Sequence, residues 1–255
     1  MKKIVEKLIL VLIVVFVIVK IGIPIAKHIH DNSHVKFSDE NMAKVLCDAV
    51  YGRSNITPEN ITYKELKQIK KLHIGFSGDY TTLKDLKYCT GLEELNIDGG
   101  VGSLMDNKDS YFSKDGKNGH EVTDEELNQI QKELGEILPE LPNLKELWVC
   151  GGIEWDSVEF LKDCKQIEEI HLYNNQTTDY SALKGCSSLK QLEIHYSNLS
   201  EAKDLIGIEK LEYLGVSDTP LAKNMEEIEK LQKAYPNGTI EYKTAEETEE
   251  DSVQQ

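Results

Sequence analysis

The most regular feature of the chain is a six-residue pattern with aliphatic side chains at its first, fourth and sixth positions. Successive copies begin 23, 52, 23, 22 and 22 residues apart. The aliphatic triplets are Ile69/Leu72/Ile74, Leu92/Leu95/Ile97, Leu144/Leu147/Val149, Ile167/Ile170/Leu172, Leu189/Leu192/Ile194 and Leu211/Leu214/Val216. Periods of about 20 to 50 residues are typical of solenoids. The single long interval therefore indicates an insert between the second and third copies.

Each copy predicts one short β-strand. Alternate residues of a strand point to opposite faces, so the aliphatic residues face a core and the residues between them face outward. One short strand cannot bury its apolar side alone, whereas stacked copies share a continuous core. The pattern therefore predicts a curved α/β solenoid whose outward strand residues line a concave face.

One stretch carries a family resemblance. Residues 174–194, NNQTTDYSALKGCSSLKQLEI, resemble an internalin-type leucine-rich repeat, N-x-I-x-D-I-S-x-L-x-x-L-x-x-L-x-x-L-x-L. The matching positions are Asn175, Asp179, Ser181, Leu183, Leu189, Leu192 and Ile194. Thr177 and Tyr180 replace isoleucines, and Cys186 replaces a leucine. The resemblance extends over roughly residues 36–243, and it implies a leucine-rich repeat horseshoe in an extracytoplasmic bacterial protein that binds other molecules.

Two further columns of the repeat have structural interpretations. Three residues before each first aliphatic position stand Leu66, Cys89, Leu141, Cys164, Cys186 and Ile208. Since cysteine shares this column with leucine and isoleucine, we expect buried thiols that act as small hydrophobes; a Cys164–Cys186 disulfide is the alternative. Cys150 occupies an outward strand position and is predicted to be exposed. Turn residues are expected three positions after each strand's last aliphatic residue, at Ser77, Gly100, Gly152, Asn175, Ser197 and Thr219.

A helical cap is predicted before the first repeat. SDENMAKVLCDAV, residues 38–50, has apolar residues at helical spacing, and Ser38 is the predicted N-cap. Such a lid covers the open core of an end repeat, and we assign cap and linker to residues 36–62. Thr62 and Glu65 predict a capping box where the repeats begin.

The repeat domain is predicted to span residues 63–243 and to contain the insert at about residues 99–140. Its last part, residues 225–242, predicts a helix, a Pro-Asn-Gly turn and a final strand. Residues 244–255 are acidic and poor in apolar side chains, which predicts a disordered tail.

The insert itself predicts a polar loop followed by a helix. Thr123 and Glu126 form a second capping box. One apolar stripe, suited to packing on the convex side, follows at Leu127, Ile130, Leu134, Ile137 and Leu138. Residues 114–127 faintly resemble the end of a calcium-binding loop. Calcium needs six to eight oxygen ligands, and Lys114 and Gly116 stand where carboxylates are required, so we expect no calcium site there.

The outward strand residues form a candidate binding surface. Neighbouring strands lie about 4.8 Å apart, so we expect Trp148 beside His171 and Tyr173 beside His195. Next to them we expect an acidic stripe formed by Glu94, Glu146 and Glu169. Aromatic side chains outside a core are typical of interface hot spots. The predicted ligand-binding residues are Glu146, Trp148, Glu169, His171, Tyr173, Glu193, His195 and Tyr213. A zinc site at His171 and His195 is not expected, because the two residues lie in different columns and lack a well-placed third ligand.

The first residues differ from the rest. Leu8 to Ala26 contain one charged residue, Lys20, and follow the basic start MKKIVEK. This composition predicts a membrane segment within residues 4–26, as part of an anchor and juxtamembrane region over residues 1–30. The repeat domain would then lie outside a cell membrane crossed once, with the N-terminus in the cytosol. Secretion after cleavage of a signal peptide is the alternative.

Composition limits the functions further. The net charge is −16, and residues 1–27 contribute five lysines and one glutamate, which leaves −20 for the remainder. With Arg53 as the only arginine, nucleic-acid binding is not expected. The chain contains no G-x-S-x-G, H-E-x-x-H or Gly-rich phosphate loop, so we expect no enzyme, no cofactor and no resident metal. We predict recognition of a protein, for which the acidic charge favours a basic one, or of a cell-wall polymer. The alternative is a non-catalytic subunit of a membrane complex.

Overall fold

A computed structural model describes residues 23–52, 57–97, 122–150 and 155–243, together with Val11, Val14, Val15, Val19 and Lys20. Its centre is one parallel sheet whose strands follow each other in chain order. The strands are β1 (Lys71–His73), β2 (Glu94–Ile97), β3 (Glu146–Val149), β4 (Glu169–Tyr173), β5 (Gln191–His195), β6 (Tyr213–Gly215) and β7 (Thr239–Glu241). Each strand adds beside its predecessor, which is the topology of a leucine-rich repeat solenoid.

The register places equivalent repeat positions side by side. Leu95 pairs with Leu147, and Ile170 pairs with Leu192, so the insert between β2 and β3 does not shift the alignment. Every residue of the six aliphatic triplets is at most 8% exposed. Burying one such side chain contributes about 1.5–3 kcal/mol. The predicted solenoid core is therefore confirmed.

The chain returns from one strand to the next through short 3-10 helices. These are Ser77–Asp79, Lys84–Tyr88, Glu159–Leu161, Ser181–Gly185, Ala202–Asp204 and Leu221–Lys223. Among the predicted turn residues, Ser77, Asn175, Ser197 and Thr219 are buried, whereas Gly100 and Gly152 lie outside the described residues. The Asn175 Oδ1 atom accepts a 2.6 Å hydrogen bond from the Tyr180 hydroxyl, so this turn is held from inside the core.

The cysteine column is part of the core. Cys89, Cys164 and Cys186 are buried free thiols, as their shared column predicts, and no disulfide joins Cys164 to Cys186. The prediction of an exposed Cys150 was wrong, because this residue is fully buried. Strand β3 ends at Val149, so the alternation that would point Cys150 outward has already stopped. The Trp155 indole donates a hydrogen bond to the Cys150 carbonyl oxygen over 3.2 Å.

The capping helix differs from its prediction at one position. Helix α2 spans Glu40–Tyr51, and its N-cap is Asp39 rather than Ser38. The Asp39 carboxylate accepts from the Met42 backbone N–H at 2.7 Å and, through its other oxygen, from the Thr81 N–H and hydroxyl. A carboxylate thus caps the helix and holds a loop of the first repeat, whereas a serine hydroxyl has one oxygen for both tasks.

A second buried carboxylate fixes the same cap. Asp85 is fully buried, and its Oδ2 atom accepts from the backbone N–H groups of Ser38 at 2.7 Å and Asp39 at 3.1 Å. The Thr62–Glu65 capping box at the start of α3, Tyr63–Leu66, is confirmed. The cap is therefore joined to the repeats by buried hydrogen bonds as well as by apolar packing.

Helix α1, Ile23–Asp31, precedes the cap and contacts α3 at the start of the repeats. Lys67 forms an ion pair with Asp31, and the rings of His30 and Tyr63 stack with centroids 4.4 Å apart. The end of the predicted juxtamembrane region is thus docked on the folded domain. Most of the predicted membrane segment lies outside the described residues. Within the part that is described, no helix has both the length and the apolar character needed to cross a bilayer.

The insert contributes helix α4, Asp124–Ile137, with the predicted Thr123–Glu126 capping box. All five residues of its predicted apolar stripe are buried. Glu133, which is 2% exposed, accepts hydrogen bonds from the Thr82 hydroxyl and the Leu83 N–H. The helix is therefore an integral part of the solenoid. The loop considered for calcium lies mostly outside the described residues.

The C-terminal end follows its sequence pattern. Helix α5 spans Met225–Ala234, and β7 completes the sheet after the predicted turn. Ile228 and Leu231 of α5 are fully buried, so the helix closes this end of the core. Residues 244–255, the predicted tail, lie outside the described residues.

A column of alternating charge runs across the strand entrances. The residues immediately before strands β1 to β6 are Lys70, Glu93, Lys145, Glu168, Lys190 and Glu212. Lys70 lies 2.6 Å from Glu93, and Glu168 lies 2.8 Å from Lys145 and 2.7 Å from Lys190. We name these six residues the charge column. Its members are exposed or, in the case of Glu168 and Lys190, half-buried, so each pair contributes about 0.2–1 kcal/mol at most.

Candidate functional site

The outward residues of β3, β4 and β5 form one connected group. The parallel register sets Trp148 beside His171, His171 beside Glu193, and Tyr173 beside His195. The same register sets Glu146 beside Glu169. These residues stand on a rigid sheet, because each strand is hydrogen-bonded on both sides and packed on the core.

Aromatic rings are stacked across the three strands. Trp148 and His171 are parallel, with centroids 3.6 Å apart, and Tyr173 and His195 stack at 5.0 Å. Trp148 and Tyr173 are also parallel, with centroids 6.0 Å apart. We name Trp148, His171, Tyr173 and His195 the aromatic ladder. Trp148 and Tyr173 are half-buried, so the ladder is ordered by its own members and still presents ring surface to solvent.

Glu193 connects the ladder through one oxygen atom. Its Oε2 accepts from the Tyr173 hydroxyl at 2.6 Å and lies 3.0 Å from His171 Nδ1. His195 Nε2 is 3.6 Å away, within ion-pairing distance. The hydrogen bonds with His171 first, and then with His195, hold the pKa of Glu193 well below its ordinary range. Burial, together with the bond to Glu193, raises the pKa of the Tyr173 hydroxyl.

His171 does not have the accessibility expected of an outward residue. Its side chain is 5% exposed, since Trp148 covers one face and both ring nitrogens contact carboxylates. Nε2 lies 2.9 Å from Glu169 Oε1, and Nδ1 contacts Glu193. Ionised carboxylates only accept hydrogen bonds, so both contacts are hydrogen bonds only when both ring nitrogens carry protons. The neighbours of His171 thus hold its ring in place and leave little of it exposed to a large partner surface.

The glutamates of the acidic stripe have different partners. Glu94 pairs with Lys71, whereas Glu146 accepts a 2.6 Å hydrogen bond from the Trp148 indole. A ligand atom of Glu146, one of Glu169 and one of His171 lie within 4.8 Å of one another. This set was not predicted from the sequence, where His171 was compared with His195 of another column and not with the two carboxylates that pair in register.

Tyr213 lies at the edge of the group. Its hydroxyl donates a 2.9 Å hydrogen bond to Glu241 of β7. Gly215, which pairs with Glu193, has no side chain to separate these residues: a Cβ atom there would stand 3.4 Å from Glu193, His195 and the Tyr213 hydroxyl. The sequence shows a glycine in this outward column, but it does not show that the side chains of Glu193, His195 and Tyr213 meet around it.

Comparison with known proteins gives the context of the fold. No protein-family model and no curated protein sequence matches the chain. Among solved structures, it is similar to internalin C2 of Listeria monocytogenes, at 21% identity and a TM-score of 0.46, with 82% of this chain and 87% of that chain covered. It is also similar to a leucine-rich repeat protein of Leptospira interrogans, at 17% identity and a TM-score of 0.42, with coverage of 69% and 38%.

Another internalin, InlF of Listeria monocytogenes, is similar at 14% identity and a TM-score of 0.28, with coverage of 82% and 71%. These similarities concern the fold, and the architecture itself is established by the strand order, register and burial described above. By its strand order, register and buried core, the chain has a leucine-rich repeat fold.

Proposed function

We propose that this chain is a recognition protein that binds a protein partner through the concave face of its sheet. The observation that carries the proposal is the aromatic ladder. Its rings stack across adjacent strands, and three of them, Trp148, Tyr173 and His195, are half-buried on the outward face. Rigid aromatic groups bind with little loss of conformational entropy, and they are enriched in interface hot spots.

The electrostatics favour a partner with basic side chains. Glu146, Glu169 and Glu193 accompany the ladder, and the part of the chain after residue 27 carries a net charge of −20 by sequence. Complementary charge steers association and sets specificity more than it sets affinity. A cationic group of the partner would meet both aromatic ring faces and carboxylates there.

We further propose that the chain is anchored in a cell membrane by its first residues, with the repeat domain outside and the N-terminus in the cytosol. Support comes from the apolar run after MKKIVEK. The valines of that run that the structure describes, Val11, Val14, Val15 and Val19, are each 49–59% exposed and are not buried in the folded domain. Secretion after cleavage remains the alternative, and protease treatment of intact cells, followed by immunoblotting of the membrane fraction, distinguishes the two.

A cross-linking pull-down with the full chain tests the binding proposal. The test variant replaces Trp148, Tyr173 and His195 by alanine. The matched control replaces Ile206 and Met225, exposed apolar residues away from the ladder, by alanine. A partner retained by the wild type and the control, and lost from the test variant with its thermal unfolding still cooperative, supports concave-face recognition. Equal retention by all three contradicts it, and a partner captured only through residues 1–30 favours the role of a membrane-complex subunit.

A further inference from the structure

The concave face contains a group of carboxylates that form no close ion pair with a lysine of the described residues. Glu146, Glu169 and Glu193 surround one imidazole, that of His171. In the described part of the chain, the ion pairs of Glu169 and Glu193 are made with histidine alone, and Glu146 forms none. Nearby carboxylates of the same sheet are paired differently: Glu94 with Lys71, and Glu168 with two lysines.

The geometry of this group is that of a metal-ligand set. One atom each from Glu146, Glu169 and His171 can approach a common point, since all three lie within 4.8 Å of one another. Imidazole nitrogen and carboxylate oxygen are donors that suit Zn²⁺ and related first-row divalent cations. Two carboxylates would also neutralise the charge of a divalent ion.

The surroundings of His171 complete the set. Metal-bound histidines commonly donate their second ring N–H to a carboxylate, which fixes the ring and its tautomer. His171 Nδ1 contacts Glu193 Oε2 at 3.0 Å, and that same oxygen is held by the Tyr173 hydroxyl at 2.6 Å. Trp148, stacked at 3.6 Å, prevents the ring from rotating. Nε2 is thereby directed towards Glu169.

We propose that Glu146, Glu169 and His171 bind a divalent transition-metal cation of the Zn²⁺ type, with Glu193 as the positioning residue for His171. In the tautomer that keeps its proton on Nδ1, facing Glu193, the lone pair of Nε2 is available to the metal. Three protein ligands leave a coordination position open. That position faces the concave side, where water or a donor atom of a partner completes the coordination. The site does not depend on the partner, so it can be tested on the chain alone.

The test is metal titration of the full chain after treatment with a chelator. Calorimetry with Zn²⁺ should give saturable binding of one equivalent. Glu169→Gln and Glu146→Gln should each weaken it at least tenfold, and Glu193→Gln should weaken it by about 10- to 100-fold. Glu94→Gln is the matched control, since Glu94 occupies the same column and is paired with Lys71; it should bind like the wild type.

Co²⁺ provides a second readout that does not depend on affinity. Ligation by nitrogen and oxygen gives weak visible bands without the intense near-ultraviolet absorption of a cobalt–thiolate bond, so the five cysteines are excluded as ligands in the same spectrum. Glutamine at position 169 keeps a hydrogen-bond acceptor for His171, and folding of each variant is checked by circular dichroism. Absence of a saturable equivalent of Zn²⁺, thiolate absorption with Co²⁺, or unchanged affinity in folded Glu169→Gln would each overturn the proposal.

Discussion

The indole of Trp148 covers one face of the His171 imidazole, with an interplanar angle of 8° and centroids 3.6 Å apart. This contact places a titratable ring in a nearly dry position on a face that is otherwise open to solvent. The two residues are therefore one structural unit: the tryptophan provides burial, and the histidine provides polar contacts to carboxylates on two strands.

Trp148→Ala should lower the free energy of unfolding by about 1–3 kcal/mol, because the contact area and the stacking are both lost. Trp148→Phe keeps a ring over His171 and should lose less. Urea denaturation followed by circular dichroism measures both. Equal stability of the alanine variant and the wild type would show that the stack is not a stabilising contact.

Asp85→Ala should loosen the N-terminal cap. The substitution leaves the N–H groups of Ser38 and Asp39 without their acceptor. For the buried Asp39, the loss costs about 1–3 kcal/mol at most. Hydrogen exchange should become faster in helix α2 while β4 and β5 stay protected. Uniform acceleration along the whole sheet would indicate that the cap is not a separate unit of unfolding.

Glu133→Ala should destabilise the packing of the insert helix. Glu133 accepts from Thr82 and Leu83 of the first repeat and from Gln129 on its own helix. Glu133→Gln keeps one acceptor oxygen and should retain part of the stability. Limited proteolysis after residue 97 is the measurement: faster cleavage in the alanine variant is expected, and an unchanged rate would contradict the assigned role.

The contribution of the charge column to the stability of the fold should depend on pH through Glu168. Hydrogen bonds and charge interactions with Lys145 and Lys190 lower its pKa to about 2. Because the pKa is lower in the folded state, ionised Glu168 stabilises the fold at pH values above the unfolded-state pKa of about 4.3. This contribution is lost as the pH falls towards the folded-state pKa. The stability difference between wild type and Glu168→Gln should thus be a few tenths of a kcal/mol at pH 6, roughly the size of an exposed pair, and should shrink from pH 4.5 downward. A difference that grows on acidification, or survives 1 M salt unchanged, would exclude this origin.

The cysteines should react slowly in the native chain. All five are buried, and burial raises the pKa of Cys89 to about 12 and that of Cys186 to about 12. Since the thiolate is the reactive form, iodoacetamide at pH 8 should modify few thiols before unfolding and five afterwards, as counted by mass spectrometry. Rapid modification of Cys150 alone would indicate that this thiol is exposed, as the strand alternation predicted.

The repeat period could be predicted from the sequence because one aliphatic side chain in the wrong position would open the core. The register of the outward columns followed from the same period. The accessibility of His171 did not follow, since it depends on whether the Trp148 ring lies down on its neighbour or extends into solvent, and both rotamers fit the same sequence. The boundary that buries Cys150 was missed for a related reason: the pattern marks where a strand begins but not where its pairing stops.

The charge column has a consequence for how such a solenoid can change length. Lysine and glutamate alternate without interruption from Lys70 to Glu212. Removing one repeat, for instance residues 168–189, would set Lys145 against Lys190, and like charges directly opposite each other are destabilising. Removing two neighbouring repeats would restore the alternation. Repeats can therefore be lost or duplicated in even numbers without electrostatic conflict, whereas a change by an odd number of repeats sets two like charges side by side in the column.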